Sequence, residues 1–209
     1  MRQMAWQLIE EQKIRYFRFG WQNNIVVYST KLGEVELLKK FSPLFIKQIH
    51  SEIILNVDSK KSRTGDGLIT KRKNFALGIK VADCLPIYLF SKEKICLLHC
   101  GWRSISKGIA KEASRVLKNY KYILGASIGS CCYEIQRDVA KLFEEKYRNA
   151  LIRKGGKYYL DLKSAVIEDL GKESLLGSLD LCTKCHPAYF HSYRRGDREK
   201  RNYAIMLAF

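Results

Sequence analysis

Apolar and polar positions alternate in short β-prone runs at the start of the chain. Residues 14–19 and 25–29 read as two strands separated by the polar stretch Gly20-Trp21-Gln22-Asn23-Asn24. Residues 44–49 and 53–57 read as two more. From residue 76 the rhythm changes, because the apolar positions become continuous. Residues 76–81, 85–90 and 95–99 are strands of the kind that are covered on both faces, and the polar turn Ser91-Lys92-Glu93-Lys94 joins the last two. Ile105, Ile109, Ala113, Val116 and Leu117 then recur at helical spacing, which predicts one helix over 104–120. Residues 122–128 are strand-like, 138–147 and 163–170 are helical, and 203–209 read as a closing strand. Strands and helices in this irregular order predict a mixed α+β single domain over residues 1–209, not a βαβ repeat.

The hairpin carries chemistry. With its turn centred between Lys92 and Glu93, Phe90 pairs with Ile95 and Pro86 with His99. Cys84 then lies two positions beyond Pro86 on the same face, a diagonal neighbour of His99 at roughly 7 Å. That separation suits two ligands of one metal ion, or a thiol and its base. Asp83 precedes the cysteine, and Gly101-Trp102-Arg103 follows the histidine where a helix begins, a place for an anion. His50, at the end of the 44–49 run, is the other candidate for this site. Two His and one Cys would form a catalytic zinc site with an open fourth position, and buried packing of the same residues is the plain alternative.

Composition narrows the classes. The chain has 209 residues, 46% hydrophobic and 11% aromatic, enough for a core and against disorder. Lys and Arg number 38 against 21 acidic residues, a formal charge of +17 that calls for an anionic partner without saying which. Four His are too few for a multicopper cluster, and none of Met1, Met4 and Met206 stands near the candidate ligands in sequence. Seven Cys do not read as a disulfide framework. No apolar stretch has signal-peptide character or approaches the roughly 20 residues of a membrane span, so the expected location is the cytoplasm, with no membrane partner.

Three weaker patterns remain. His50-Ser51-Glu52 with Cys182-Thr183-Lys184-Cys185 imitates a nucleobase-deaminase signature, but at a very long separation and with Leu181 where a proline belongs. Cys182, Cys185 and His186 supply only half of a closed structural metal site, so a turn or core role is favoured. Cys131 and Cys132 read as structural thiols in a small-residue loop. The basic run 194–201 is interspersed with acids, as on a solvated face, which argues against nucleic acid.

The runs KQIHSEIILNV, TGDGLIT, VADCLPIYLF, LLHCGWRSISKGI, ASIGSCCYEIQRDV, LCTKC and YFHSYRR occur in order between residues 47 and 195. Together they resemble the bacterial family labelled polyphenol oxidase or laccase-domain protein, also called peptidoglycan editing factor. That family is read as a zinc-dependent purine nucleoside phosphorylase with adenosine deaminase activity. The resemblance implies β-sheets packed face to face with flanking helices. It also implies a zinc ion, in preference to copper, held by His50, Cys84 and His99. Its substrates would be adenosine, inosine, guanosine and methylthioadenosine with inorganic phosphate, plus water for deamination. On the residues themselves, Arg103 with Arg194 or Arg195 is placed to hold phosphate, and Asp66 and Asp83 to carry protons or orient a ligand histidine, with structural capping as the equal alternative for both aspartates. The chain departs from the family at Ser29-Thr30-Lys31, where relatives have arginine and then a long Gly-rich loop. Two other functions compete: a metal-free hydrolase using Cys84 and His99, and a basic nucleic-acid-binding protein.

Overall fold

Two hairpin strands without a polar residue at their solvent positions set the centre of the fold. In the computed structural model, which describes residues 5–59 and 63–209, Leu85–Phe90 and Ile95–Cys100 are buried at every position. The chain order begins β1 (Gln7–Glu11), β2 (Ile14–Trp21), β3 (Asn24–Ser29), α1 (Glu34–Phe41), β4 (Ile54–Asn56) and β5 (Gly67–Thr70). It continues with β6 (Phe75–Val81), β7 (Leu85–Phe90), β8 (Ile95–Cys100), α2 (Trp102–Ser106), α3 (Ile109–Val116) and β9 (Lys121–Leu124). Then come β10 (Glu134–Ile135), α4 (Arg137–Glu144), β11 (Leu151–Lys154), β12 (Lys157–Leu160), α5 (Leu162–Leu170), β13 (Leu175–Ser178) and β14 (Asn202–Ala208).

These elements stack in four layers. One sheet has the order β1-β2-β3-β14-β6 and a second has β13-β9-β7-β8-β5-β4. Phe17, Phe19, Leu77, Ile79 and Met206 of the first meet Leu68, Tyr88, Phe90 and Leu97 of the second in one buried cluster. The opposite face of the second sheet, through Ile87, Leu89, Leu98 and Leu124, packs on Ile105, Ile109, Ala113, Val139 and Val166 of α2 to α5. The outer face of the first sheet takes Leu37 of α1 against Tyr16, Val27 and Ile205. Both central strands are therefore covered on both faces, which is why their sequence shows no alternation. The architecture is mixed α+β, with sheets face to face and helices outside.

The hairpin register is the one the turn chemistry predicts, with Phe90 opposite Ile95 and Pro86 opposite His99. Three expected elements differ. Residues 44–49 form no strand; Leu44 and Lys47 make only isolated bridges, to Leu77 and Thr64. The ladder fails because the Gln48 side chain takes both Lys80 backbone groups, at 2.8 Å each, in place of a neighbouring strand. The expected helix 104–120 is two helices, α2 and α3, broken at Gly108, whose φ of 91° is left-handed. The strand 122–128 ends at Leu124: the Gly125 amide still donates to Pro86 O at 3.0 Å, but the proline has no N–H to return, and the chain swings toward Asp83.

Candidate metal centre

His99 sits within β8 with its backbone amide donating to Asp66 O at 2.7 Å. Its opposite residue, Pro86, turns its carbonyl the other way, to the Gly125 amide at 3.0 Å beyond β9, and does not compete for that bond. Cys84 enters from the turn before β7, directly after Asp83, whose φ of 87° is left-handed. Both Asp83 oxygens hold that turn, accepting from Thr183 Oγ1 at 2.6 Å and from the Arg194 amide at 2.7 Å. His50 also has a left-handed φ, 58°. Two non-glycine residues in this sparsely populated region, one a ligand candidate and one beside a ligand candidate, are held there by the surrounding bonds.

The sulfur of Cys84 lies 3.9 Å from His50 Nε2, and the ligand atoms of His50, Cys84 and His99 all fall within 4.8 Å of one another. Tetrahedral ligands at zinc distances of about 2.0–2.3 Å stand roughly 3.3–3.8 Å apart, so this donor set closes on one ion with little adjustment. Asp66 Oδ1 lies 2.8 Å from His99 Nδ1, which places the proton on that nitrogen and turns the Nε2 lone pair toward the sulfur. Gly101 leaves the room this needs, since a Cβ there would meet Cys84 Sγ at 3.0 Å and His50 Cδ2 at 3.2 Å.

The electrostatics follow from burial and charge together. Burial pushes the Cys84 thiol up, but the neighbouring His99 and His50 outweigh it and bring the group down to about 6. Burial pushes His99 down, yet Cys84 and Asp66 raise it to about 9. Asp66 is also desolvated, and hydrogen bonds from His99 and Ser51 nevertheless hold it well below the carboxylate range.

A cavity of about 580 Å³ opens over the trio, within the roughly 300–1,000 Å³ of small-molecule sites. Arg103, Arg194, Arg201 and Lys80 supply cationic walls, and Trp102, Tyr133 and Tyr193 supply aromatic ones. The Arg103 guanidinium lies 4.4 Å from the Trp102 ring centroid, and that of Arg194 lies 4.9 Å from that of Tyr133.

The structure brings His50, Cys84, His99, Asp83, Arg103 and Arg194 to this cavity. Arg195 goes elsewhere: its guanidinium is enclosed by the carbonyls of Thr183, Lys184 and Phe190 and by Asp197. It braces two loops and has no part in the cavity wall. Asp66 lies fully buried behind His99, outside the wall. Ser29 accepts from the Tyr203 amide at 2.8 Å, and Ser29, Thr30 and Lys31 are absent from the wall as well. The five-residue α2 begins beside Arg103 and is too short to act as a helix terminus for an anion. His50 and the Cys182–Cys185 pair belong to separate groups, which removes the deaminase-like signature. Lys80, Tyr193 and Arg201 were not legible as site residues, although Tyr193 stands inside the quoted YFHSYRR run. Among the described residues, no helix is long and apolar enough to cross a membrane.

Comparison with known proteins adds independent information. Residues 29–208 match the model of a family described as multi-copper polyphenol oxidoreductase laccase. A protein of Aquifex aeolicus named purine nucleoside phosphorylase is 33% identical over 163 residues, covering 74% of this chain and 77% of its own. A similarly named protein of Clostridium acetobutylicum is 34% identical over 167 residues, covering 72% and 70%. Among solved structures, the hypothetical protein YfiH of Bacillus licheniformis superposes with a TM-score of 0.81 at 20% identity, over 97% of this chain and 99% of that one. YlmD from Geobacillus stearothermophilus gives 0.81 at 20% identity, over 96% and 98%.

Proposed function

The chain belongs to the family described as multi-copper polyphenol oxidoreductase laccase, and on that premise we propose that it is a purine nucleoside phosphorylase whose His50, Cys84 and His99 hold a zinc ion. The observation that carries the reading is the convergence of these three side chains beneath a cavity with cationic and aromatic walls. The names of the Aquifex and Clostridium relatives support the same activity. The family's printed description does not extend to copper-cluster chemistry here. Four His in the whole chain cannot furnish such a cluster, and no methionine among the described residues lines the cavity. Zinc suits two imidazoles and a thiolate, and copper suits them less well without an axial sulfur.

The substrates are purine nucleosides (adenosine, inosine, guanosine and methylthioadenosine) with inorganic phosphate, and adenosine is also deaminated hydrolytically. Zinc bound here supplies Lewis-acid polarisation and lowers the pKa of water to about 7. The remaining work falls to the chain itself. Arg103 and Arg194 line the cavity with guanidinium forks that bind phosphate, with Arg201 and Lys80 adding positive charge. Trp102, Tyr133 and Tyr193 offer ring faces and edges to a flat base. Asp66 orients His99 from behind, and Asp83 fixes the turn that delivers Cys84.

A second reading has its own observation. The lowered Cys84 and raised His99 also describe a thiolate beside an imidazolium, the pairing of a cysteine hydrolase. One experiment separates the two: metal analysis, and assay of adenosine with and without phosphate, on wild type and Cys84→Ala. Adenine formed only with phosphate supports phosphorolysis, and inosine supports deamination. Neither product, or an undiminished rate in Cys84→Ala, overturns the proposal, and full turnover by metal-free protein would favour the hydrolase.

A further inference from the structure

We infer that Cys131, Cys132, Cys182 and Cys185 form a second metal site, a closed four-thiolate site that takes a structural zinc ion. The two cysteine pairs lie some fifty residues apart, and each alone is half a site. The fold joins them. Ser127 bridges Cys182 in parallel register, and the Thr183 amide donates to Ser127 O at 3.0 Å, which aligns the turn after β9 with the 182–185 turn. All four sulfurs then lie within 4.8 Å of one another. Cys131 and Cys185 stand 3.7 Å apart, and Cys132 and Cys185 3.3 Å.

Sulfurs at about 2.3 Å from a tetrahedral zinc are about 3.8 Å apart, so the observed spacings match four ligands of one ion. They exceed the disulfide bond length of about 2.05 Å, and all four thiols are free. Two features prepare the site for thiolates. The Gly129 amide donates to Cys182 Sγ at 3.2 Å. A backbone donor on the first sulfur of a C-x-x-C turn offsets part of the negative charge that a metal-bound thiolate carries. Gly129 also keeps the space open, since a Cβ there would meet Cys131 Sγ at 3.2 Å and Cys182 Sγ at 3.7 Å. His186 lies outside the four-sulfur group, with its Nδ1 at 2.9 Å from Cys182 O.

The donor set selects the ion. Four soft sulfurs in a tetrahedron favour zinc over magnesium, calcium or manganese, and with every position filled by protein the ion is structural rather than catalytic. Its place in the fold gives it a task. Thr183, between the two ligands of one turn, is the residue that holds Asp83 Oδ1, and the Arg195 guanidinium clasps the Thr183 and Lys184 carbonyls. The ion would therefore tie down the wall behind the Cys84 turn.

The test counts metal in protein purified without chelator. Wild type should carry two zinc ions per chain, Cys84→Ala one, and Cys131→Ser one, while the double variant carries none. Because Cys131→Ser can loosen its loop, the decisive measurement uses Cys84→Ala, where zinc-edge X-ray absorption should report an all-sulfur shell at about 2.3 Å. A mixed nitrogen and sulfur shell, iron in place of zinc, no metal in Cys84→Ala, or a denatured thiol count below seven that reveals a disulfide would each overturn the inference. Because the count does not depend on nucleoside turnover, two zinc ions in a chain inactive on adenosine would sustain this site and defeat only the phosphorylase reading.

Discussion

Asp66 lies 2.8 Å from His99 Nδ1 through one carboxylate oxygen, and with the other it gathers the amides on both sides of His50. Ser51 N stands at 2.6 Å, Ser51 Oγ at 2.8 Å and Ile49 N at 3.2 Å from that second oxygen. One buried carboxylate thus sets the tautomer of one histidine and the left-handed backbone of the other. In Asp66→Asn the amide must turn its NH2 either toward His99 Nδ1 or toward the Ser51 donors, and one of the two supports is lost. Zinc affinity at the His50-Cys84-His99 site should fall about 10- to 100-fold, read by competition with a chromogenic chelator. Unchanged affinity would show that Asp66 does not position these ligands.

Gly101→Ala tests how tightly the trio is packed. The backbone there, φ −85° and ψ 174°, suits alanine, so the only new feature is a methyl group 3.0 Å from Cys84 Sγ and 3.2 Å from His50 Cδ2. The variant should keep its circular dichroism spectrum while its zinc affinity and kcat/KM drop by about tenfold, because Cys84 and His50 must both give by a few tenths of an ångström. Wild-type affinity in a folded variant would mean that the trio tolerates the displacement.

Thr183→Val removes the hydroxyl at 2.6 Å from Asp83 Oδ1 and leaves that oxygen buried without its donor. The expected loss is about 1–3 kcal/mol in urea unfolding, with Thr183→Ser losing much less. A loss in Thr183→Val no larger than that in Thr183→Ser would show that the hydroxyl bond to Asp83 does not hold this turn.

Glu34 gives the pH dependence. Its carboxyl is pushed up to about 7, chiefly by burial, against the attraction of Lys200 and Lys31. It faces His191 Nε2 at 3.0 Å, and His191 is itself lowered, first by burial and then by Lys31. A raised carboxyl favours folding below its unfolded value near 4.5, and that contribution is lost as pH rises through about 7. The lowered His191 runs the other way, so a Glu34→Gln comparison isolates the glutamate. The variant should match wild type near pH 5 and exceed it near pH 8. With the Glu34 side chain 25% exposed, screening reduces the gain to about 1–2 kcal/mol. A gain independent of pH between these values would refute the assignment.

Much of the centre was legible because local chemistry determines it. The four-residue turn Ser91-Lys92-Glu93-Lys94 fixes the hairpin, and the hairpin fixes which face Cys84 and His99 share. The resemblance brought His50 to the same place, where spacing alone offered it only as a candidate. What escaped depends on groups far apart in sequence. No pattern around residue 48 announces that a glutamine side chain will stand in for a strand beside β6, so 44–49 read as a strand. Gly108 breaks a helix that apolar periodicity carries straight through. The neighbouring arginines 194 and 195 look alike on paper, yet the tight turn between Tyr193 and Arg195 sends one to the cavity and the other into a ring of carbonyls. The paired cysteines at 131–132 and 182–185 each looked incomplete, and the Ser127–Cys182 bridge with its neighbouring bonds makes them neighbours.

Pro86 and His99 face each other across β7 and β8, the proline with no amide hydrogen and the histidine with its own committed to Asp66 O. A slip of one residue would turn His99 toward the helices and bring Cys100, also able to bind metal, round to the cavity side. Metal capture could not tell such a mispaired hairpin from the native one by ligand type. Asp66 can, because its bond to His99 Nδ1 at 2.8 Å forms only in the native register, and a slip strands the buried carboxylate. A carboxylate that stands outside the ligand set thus checks the alignment of the strands.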